Sequence, residues 1–149
     1  MREILRYYLE IRDLKDLKKV NAPNKDVAFQ LVKKPDFNLN KFFYKQIGKK
    51  HRWIDRLSWN DQIWSNYITN NSVKTYILKE GQELAGYFEQ IHNKDNNEHE
   101  IAYFGILEEY RNKRYGAYLL SKAIELSLID DSKRVWVHTL SLIHISEPT

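Results

Sequence analysis

The sequence predicts an α/β domain built on a mixed β-sheet. Short β-rich runs and apolar-striped helical segments alternate along the 149 residues, and the last helical segment has a strand on each side. A strand–helix–strand order needs a crossover, so some strands pair in parallel. The two β-rich runs around KEGQ, residues 79–82, instead read as an antiparallel hairpin. We find no internal repeat and no linker.

The elements follow in order. Residues 3–12, EILRYYLEIR, alternate loosely and are rich in aromatics and Ile, which predicts a strand. VAFQLVK, residues 27–33, predicts a second. After Pro35 and Asp36, the residues Phe37, Phe43, Tyr44 and Ile47 make a helical stripe, with Gly48 as the expected C-cap. HRWIDRLSW is a short aromatic connector. Ser58 or Asn60 then caps DQIWSNYI, whose Ile63, Trp64, Tyr67 and Ile68 share one face. The hairpin around KEGQ comes next, then the polar turn NKDNNE and the strand EIAYFGI. Residues 115–129 form a helix with Leu119, Leu120, Ala123, Ile124 and Ser127 or Leu128 at helical spacing. DDSK turns into the last strand, RVWVHTL.

Composition excludes several chemistries. With 42% apolar and 30% charged residues the chain is globular and not disordered. It has no Cys, which removes disulfides, thiolate metal sites and thiol nucleophiles. His51, His92, His99, His138 and His144 show no paired ligand spacing, so no metal is expected. The N-terminus is too charged for a signal peptide, and no run of about 18 apolar residues occurs. We therefore expect a soluble, cytoplasmic chain without a membrane partner. The net charge of +4 suits an anionic ligand or an ordinary Lys-rich surface. The basic residues are dispersed and not interleaved with aromatics, so no nucleic-acid partner is expected.

The stretch YFGILEEYRNKRYGAYLL, residues 103–120, runs from a strand through a basic loop into a helix. Helix starts usually carry acids, because the first turn exposes unpaired N–H groups and the positive end of the dipole. Here Arg111, Lys113, Arg114 and Gly116 stand there instead. Such a loop suits an anion: successive N–H groups form a nest for phosphate oxygens, and Gly116 lets the backbone come close. Solvated charges on a plain strand-to-helix turn would give the same pattern.

EIAYFGILEEYRNKRYGAYLL resembles the acetyl-coenzyme-A signature of the GNAT N-acetyltransferase superfamily, a strand followed by (Gln/Arg)-x-x-Gly-x-(Gly/Ala) at a helix start. Arg111 matches the first position and Gly116 the last, with Ala117 and Leu119–Leu120 following as in the signature. Arg114 replaces the middle Gly, which is tolerable if residue 114 keeps a negative φ. HRWIDRLSWNDQIW, ELAGYFE and RVWVHT are similar to a bacterial branch of the superfamily, and the likeness extends to about Thr139.

The resemblance implies a GNAT-like fold: a mixed, mainly antiparallel central sheet flanked by helices. It implies an N-acetyltransferase that moves an acetyl group from acetyl-CoA, a co-substrate, to a primary amine by direct attack in a ternary complex. Backbone N–H groups of Arg111, Asn112, Lys113, Arg114, Tyr115, Gly116 and Ala117 would bind the pyrophosphate. Phe104, Gly105 and Ile106 would pair with the pantetheine arm, entering where this strand splays from RVWVHT. An N–H near Phe104 would stabilise the oxyanion. The amine must lose a proton, and Glu100, four residues before Phe104, matches the base of the histone acetyltransferase branch. Glu89 is the alternative base, and an exposed structural carboxylate is the alternative for Glu100. Trp53, Asp55, Arg56 and Trp59 lie on the acceptor side; Asp55 could hold a cationic amine, with the tryptophans as walls or as core. Tyr87 and Tyr103 read first as packing residues. His138 is a further candidate, as proton shuttle or structural residue. The acceptor is a small-molecule or peptide amine, and the resemblance is compatible with a homodimer.

In the family the last strand continues into a helix and further strands. Here the sequence reads LSLIHISEPT. SLIHISEPT resembles translated sequencing-adapter DNA. We expect one incomplete N-acetyltransferase domain over residues 1–139, with the final helix and strands missing, a non-native tail over 140–149, and an exposed sheet edge. The alternative reading is a non-catalytic CoA-binding module or an inactive truncated fragment.

Overall fold

A computed structural model describes residues 6–11, 21–51, 53–111, 113–129 and 134–140. In chain order these form β1 (Arg6–Ile11), β2 (Val27–Leu31), α1 (Phe37–His51), α2 (Asp61–Ile68), β3 (Val73–Glu80), β4 (Glu83–Asn93), β5 (Glu98–Ile106), a short 3₁₀ turn (Glu108–Tyr110), α3 (Tyr115–Ile129) and β6 (Arg134–Leu140). One sheet runs β1-β6-β5-β4-β3-β2. Every neighbouring pair is antiparallel except β5–β6, the pair joined through the α3 crossover.

The period-2 alternation of β4 sorts the two faces. Tyr87 stacks on Phe43 of α1 at 4.6 Å and Glu89 accepts from Asn40 of α1, so these residues face α1 and α2. Phe88 and Gln90 face the other way. Phe88 joins a stack with Tyr76 and Phe29, and Gln90 donates to Ser127 Oγ on α3. Helix α1 offers the sheet Asn40, Phe43, Tyr44 and Ile47, spaced i, i+3, i+4 and i+7, and all four are buried. Helix α3 buries Leu119, Ala123, Ile124 and Ser127 on the opposite face.

One expectation changes, and one choice between alternatives is decided. Gly48 does not end α1, which runs on to His51. A Cβ there would lie 3.0 Å from Trp53 Cβ, so the glycine makes room for that ring inside the helix. Of the two candidate caps for α2, Asn60 takes the role: its Oδ1 accepts the Ile63 N–H at 2.9 Å. Strand β6 lies inside the sheet, because β1 pairs with it from Arg6↔Leu140 to Ile11↔Val135, and the outer strands are β1 and β2. Residues 141–149 of the predicted tail lie outside the described residues.

Candidate functional site

Strands β5 and β6 pair only from Glu98↔Arg134 to Ile101↔Val137. Both continue, β5 to Ile106 and β6 to Leu140, so beyond Ile101 they part and leave a wedge. On its other side β5 stays bonded to β4. Leu107 donates its N–H to Ala85 O at 2.8 Å, which by alternation turns Gly105 toward β4 and the N–H group of Ile106 toward the wedge.

A β-bulge shapes this edge. The register steps from Tyr87↔Gly105 to Glu89↔Ala102, so Tyr103 and Phe104 together oppose Phe88. Tyr103 takes φ +52, a left-handed conformation that costs a non-glycine residue about 1–2 kcal/mol. Its side chain supplies compensation. The ring stands perpendicular to Trp53 at 5.1 Å, the Arg56 guanidinium lies 3.9 Å from its centroid, and its hydroxyl donates to Asp55 Oδ2 at 3.1 Å. Burial first, and then the Asp55 charge, push this phenol up to about 12 against the opposing pull of Arg56.

Helix α3 starts beside the same wedge. Arg114 O accepts the Tyr118 N–H at 3.2 Å, so the N–H groups of Tyr115, Gly116 and Ala117 have no acceptor within the helix. No acid stands in this first turn. A Cβ on Gly116 would meet Ile106 Cγ1 at 3.7 Å, ordinary contact, so the helix start abuts the end of β5. The two halves of the predicted cofactor site, Phe104–Ile106 and the helix start, thus meet at Ile106 and Gly116. Arg111 is extended, with φ −72 and ψ 160, and Lys113 Nζ lies 5.5 Å from the Tyr110 ring. Asn112 lies outside the described residues.

Arg114 departs from expectation, because its φ is +66 and not negative. The position asks for the left-handed conformation that glycine takes freely, and an arginine holds it at a cost. Replacing Arg114 with Gly should therefore stabilise the fold by about 0.5–1 kcal/mol, the relief of strain exceeding the added chain entropy. Urea unfolding at constant pH checks this. A loss of stability would mean that the arginine side chain contributes more than its backbone costs.

Glu100 sits opposite Trp136, one residue before the pairing with β6 ends. Alternation from Ala102, the partner of Glu89, puts it on the sheet face covered by α1 and α2. It is partly exposed. Glu89, the alternative base, is otherwise engaged. It is fully buried, and Arg56 reaches both carboxylate oxygens, Nη2–Oε1 at 2.9 Å and Nη1–Oε2 at 3.1 Å. Tyr67 donates to Oε1 at 2.5 Å and Asn40 to Oε2 at 2.9 Å. These four contacts take up the acceptor positions of the carboxylate.

The Arg56 guanidinium completes a box of five rings: Tyr103, Tyr67, Trp59, Trp64 and Tyr44, with centroids 3.9–5.9 Å away. Burial works against its charge, but Glu89 wins and the group stays firmly protonated. Tyr67 is pushed far up, by burial first and by the Glu89 charge second. Trp64 is core and Trp59 is half-buried, while Ile54 and Leu57, flanking Asp55 and Arg56, are exposed. Tyr87 packs as expected, and its buried hydroxyl has no hydrogen-bond partner among the described residues. The His138 side chain is outside what is described. Among the described residues no group of three His, Asp or Glu is arranged to hold a metal, and no helix is long and apolar enough to cross a membrane.

The Acetyltransferase (GNAT) family profile matches residues 37–142. No curated protein sequence matches the chain. Among solved structures, the chain is similar to a GCN5-related N-acetyltransferase from Kribbella flavida, with TM-score 0.61 and 13% identity over 91% of this chain and 49% of that one. It thus spans about half the length of the Kribbella protein. An aminoglycoside acetyltransferase from an uncultured soil metagenomic sample aligns with TM-score 0.63 and 7% identity, covering 78% and 79% of the two chains. A GNAT family acetyltransferase from Elizabethkingia anophelis, solved with acetyl-CoA bound, aligns with TM-score 0.53 and 16% identity over 76% and 65%. At these identities the likeness is one of fold.

Proposed function

The chain belongs to the Acetyltransferase (GNAT) family, and from that premise we propose that it transfers an acetyl group from acetyl-CoA to a primary amine by direct attack. The observation that carries this reading is the wedge between β5 and β6, open beside a helix start rich in unpaired N–H groups and cations. The pyrophosphate rests on the N–H groups of Tyr115, Gly116 and Ala117, with Arg111, Lys113 and Arg114 as counter-charge. The pantetheine arm lies along Phe104–Ile106 as an added strand. The Phe104 N–H donates to the thioester oxygen as charge develops there; such donors are worth about 3–4 kcal/mol in other enzymes.

The amine nitrogen attacks the thioester carbon, the C–N bond forms, and the C–S bond breaks to release CoA thiolate. Glu100 takes the amine proton. Asp55, beside the bulge and bonded to Tyr103, holds the amine in its cationic form before deprotonation. The acceptor is a small-molecule or peptide amine. Support comes from the acetyl-CoA in the Elizabethkingia structure and from the aminoglycoside acetyltransferase among the structural neighbours.

Calorimetric titration with acetyl-CoA tests the cofactor half; absence of saturable heat from folded protein would defeat the proposal. For the chemical half, Glu100→Gln should lower turnover on an accepted amine roughly 100-fold or more, with acetyl-CoA affinity nearly unchanged. A module that only binds CoA would show binding with no turnover in either protein.

A further inference from the structure

The loop that precedes α3 is anchored at both ends to a distant part of the chain. At its upstream end the Tyr110 hydroxyl donates to Glu83 Oε2 at 2.5 Å. At its downstream end the Tyr115 hydroxyl donates to Glu80 Oε1 and accepts from Asn24 Nδ2 at 3.3 Å. Glu80 and Glu83 flank the tip of the β3–β4 hairpin, where Gly81 takes φ +60. The tip is itself tied to the turn before β2, since Gly81 donates its N–H to Asp26 O at 2.8 Å. The two tyrosine rings stack with centroids 6.0 Å apart, and both are buried. The carboxylate bond, ahead of burial, pushes the Tyr110 phenol up to about 12 and raises Tyr115 too, so neither hydroxyl ionises near neutral pH.

This clamp answers a problem in the loop. Arg111, Lys113 and Arg114 put three like charges in one short loop, and Arg114 holds φ +66 at a cost. A free loop of this kind would have to be ordered by the incoming phosphate, at the expense of affinity. Fixing both stems sets the N–H groups in place beforehand. The alternative role for two acids so close to an anion site is plain repulsion, which would weaken binding.

We propose that Glu80 and Glu83 are positioning residues for the phosphate loop, acting through the Tyr115 and Tyr110 hydroxyls; the inference rests on the acetyl-CoA reading of that loop. Neither acid touches the ligand. Each holds a stem of the loop so that the donors of the α3 start converge on the pyrophosphate.

The test compares CoA, titrated by calorimetry, with S-acetylpantetheine, which lacks the pyrophosphate and is titrated by NMR. In the double variant Glu80→Ala/Glu83→Ala, CoA should bind about tenfold more weakly, and S-acetylpantetheine within about twofold of wild type. Glu80→Gln/Glu83→Gln, whose amide oxygens still accept a phenol proton, should recover most of the CoA affinity. Tyr110→Phe/Tyr115→Phe keeps the stacked rings, guards against a folding failure, and should reproduce the CoA loss. Unchanged or tighter CoA binding in the alanine variant would overturn the inference, as would an equal loss for both ligands. Wild-type protein that binds no CoA would refute the acetyl-CoA reading itself, and the inference with it.

Discussion

Replacing Gly116 with glutamate should weaken acetyl-CoA binding by roughly 100-fold, about 2.7 kcal/mol, while leaving the fold intact or slightly more stable. The two effects have opposite signs for one reason. Position 116 lies in the first turn of α3, where three N–H groups lack intrahelical acceptors and no acid is present. A carboxylate placed there interacts favourably with those donors and with the helix dipole, worth about 0.3–1 kcal/mol. It therefore occupies electrostatically the place that a pyrophosphate would take. Gly116→Ala separates bulk from charge. Its Cβ meets Ile106 at an ordinary 3.7 Å, so the protein tolerates it, and any fall in affinity reports how closely the ligand approaches the backbone. Calorimetry for binding and urea unfolding for stability decide the matter. A glutamate variant that binds acetyl-CoA as tightly as wild type would exclude this helix start as the phosphate site.

What was legible in the sequence followed locality. Helix α2 matches its predicted bounds because Asn60 and the spacing of Trp64 and Ile68 are local signals. Helix α3 and β6 also match, and the crossover between β5 and β6 delivers the expected parallel pair. The wedge itself came from family resemblance; no periodicity says where two strands part. Features made by distant contacts stayed hidden. The bulge puts Tyr103, an aromatic residue that gives no turn signal, in a left-handed conformation that its neighbours Trp53, Asp55 and Arg56 hold. Gly48 looked like a helix end because nothing in the local sequence shows Trp53 folding back against it. The β1–β6 pair joins nearly opposite ends of the chain, and the clamp on the loop before α3 joins tyrosines to hairpin acids that read as ordinary turn residues.

The Arg56–Glu89 pair is the clearest case of a feature with no local signature, and it carries the largest stability effect we expect. Its members are 33 positions apart, and both are almost wholly removed from water. Removing one partner leaves the other as an uncompensated buried charge, so Arg56→Ala or Glu89→Ala should each cost about 3–5 kcal/mol. Each variant loses more than the pair. Without Glu89, Tyr67 loses its acceptor and Asn40 loses one of the two bonds its side-chain amide donates among the described residues. Without Arg56, five aromatic rings lose the flat cation between them. Arg56→Lys should recover only part of the loss, since a point charge cannot span both carboxylate oxygens and stack on the rings together. The double variant Arg56→Met/Glu89→Leu should be milder than the sum of the single alanine losses, because no buried charge is left alone. Urea unfolding of these variants measures the coupling; losses below about 1 kcal/mol would show that the site relaxes or admits water in a way this packing does not suggest. The consequence reaches the wedge. Arg56 lies against the Tyr103 ring, and Tyr103 with Phe104 forms the bulge in β5, at the strand end that parts from β6. If the proposed function holds, a variant that folds without the guanidinium should therefore keep its helix start for the anion and lose definition around Phe104, the proposed oxyanion donor, so that turnover falls further than acetyl-CoA affinity.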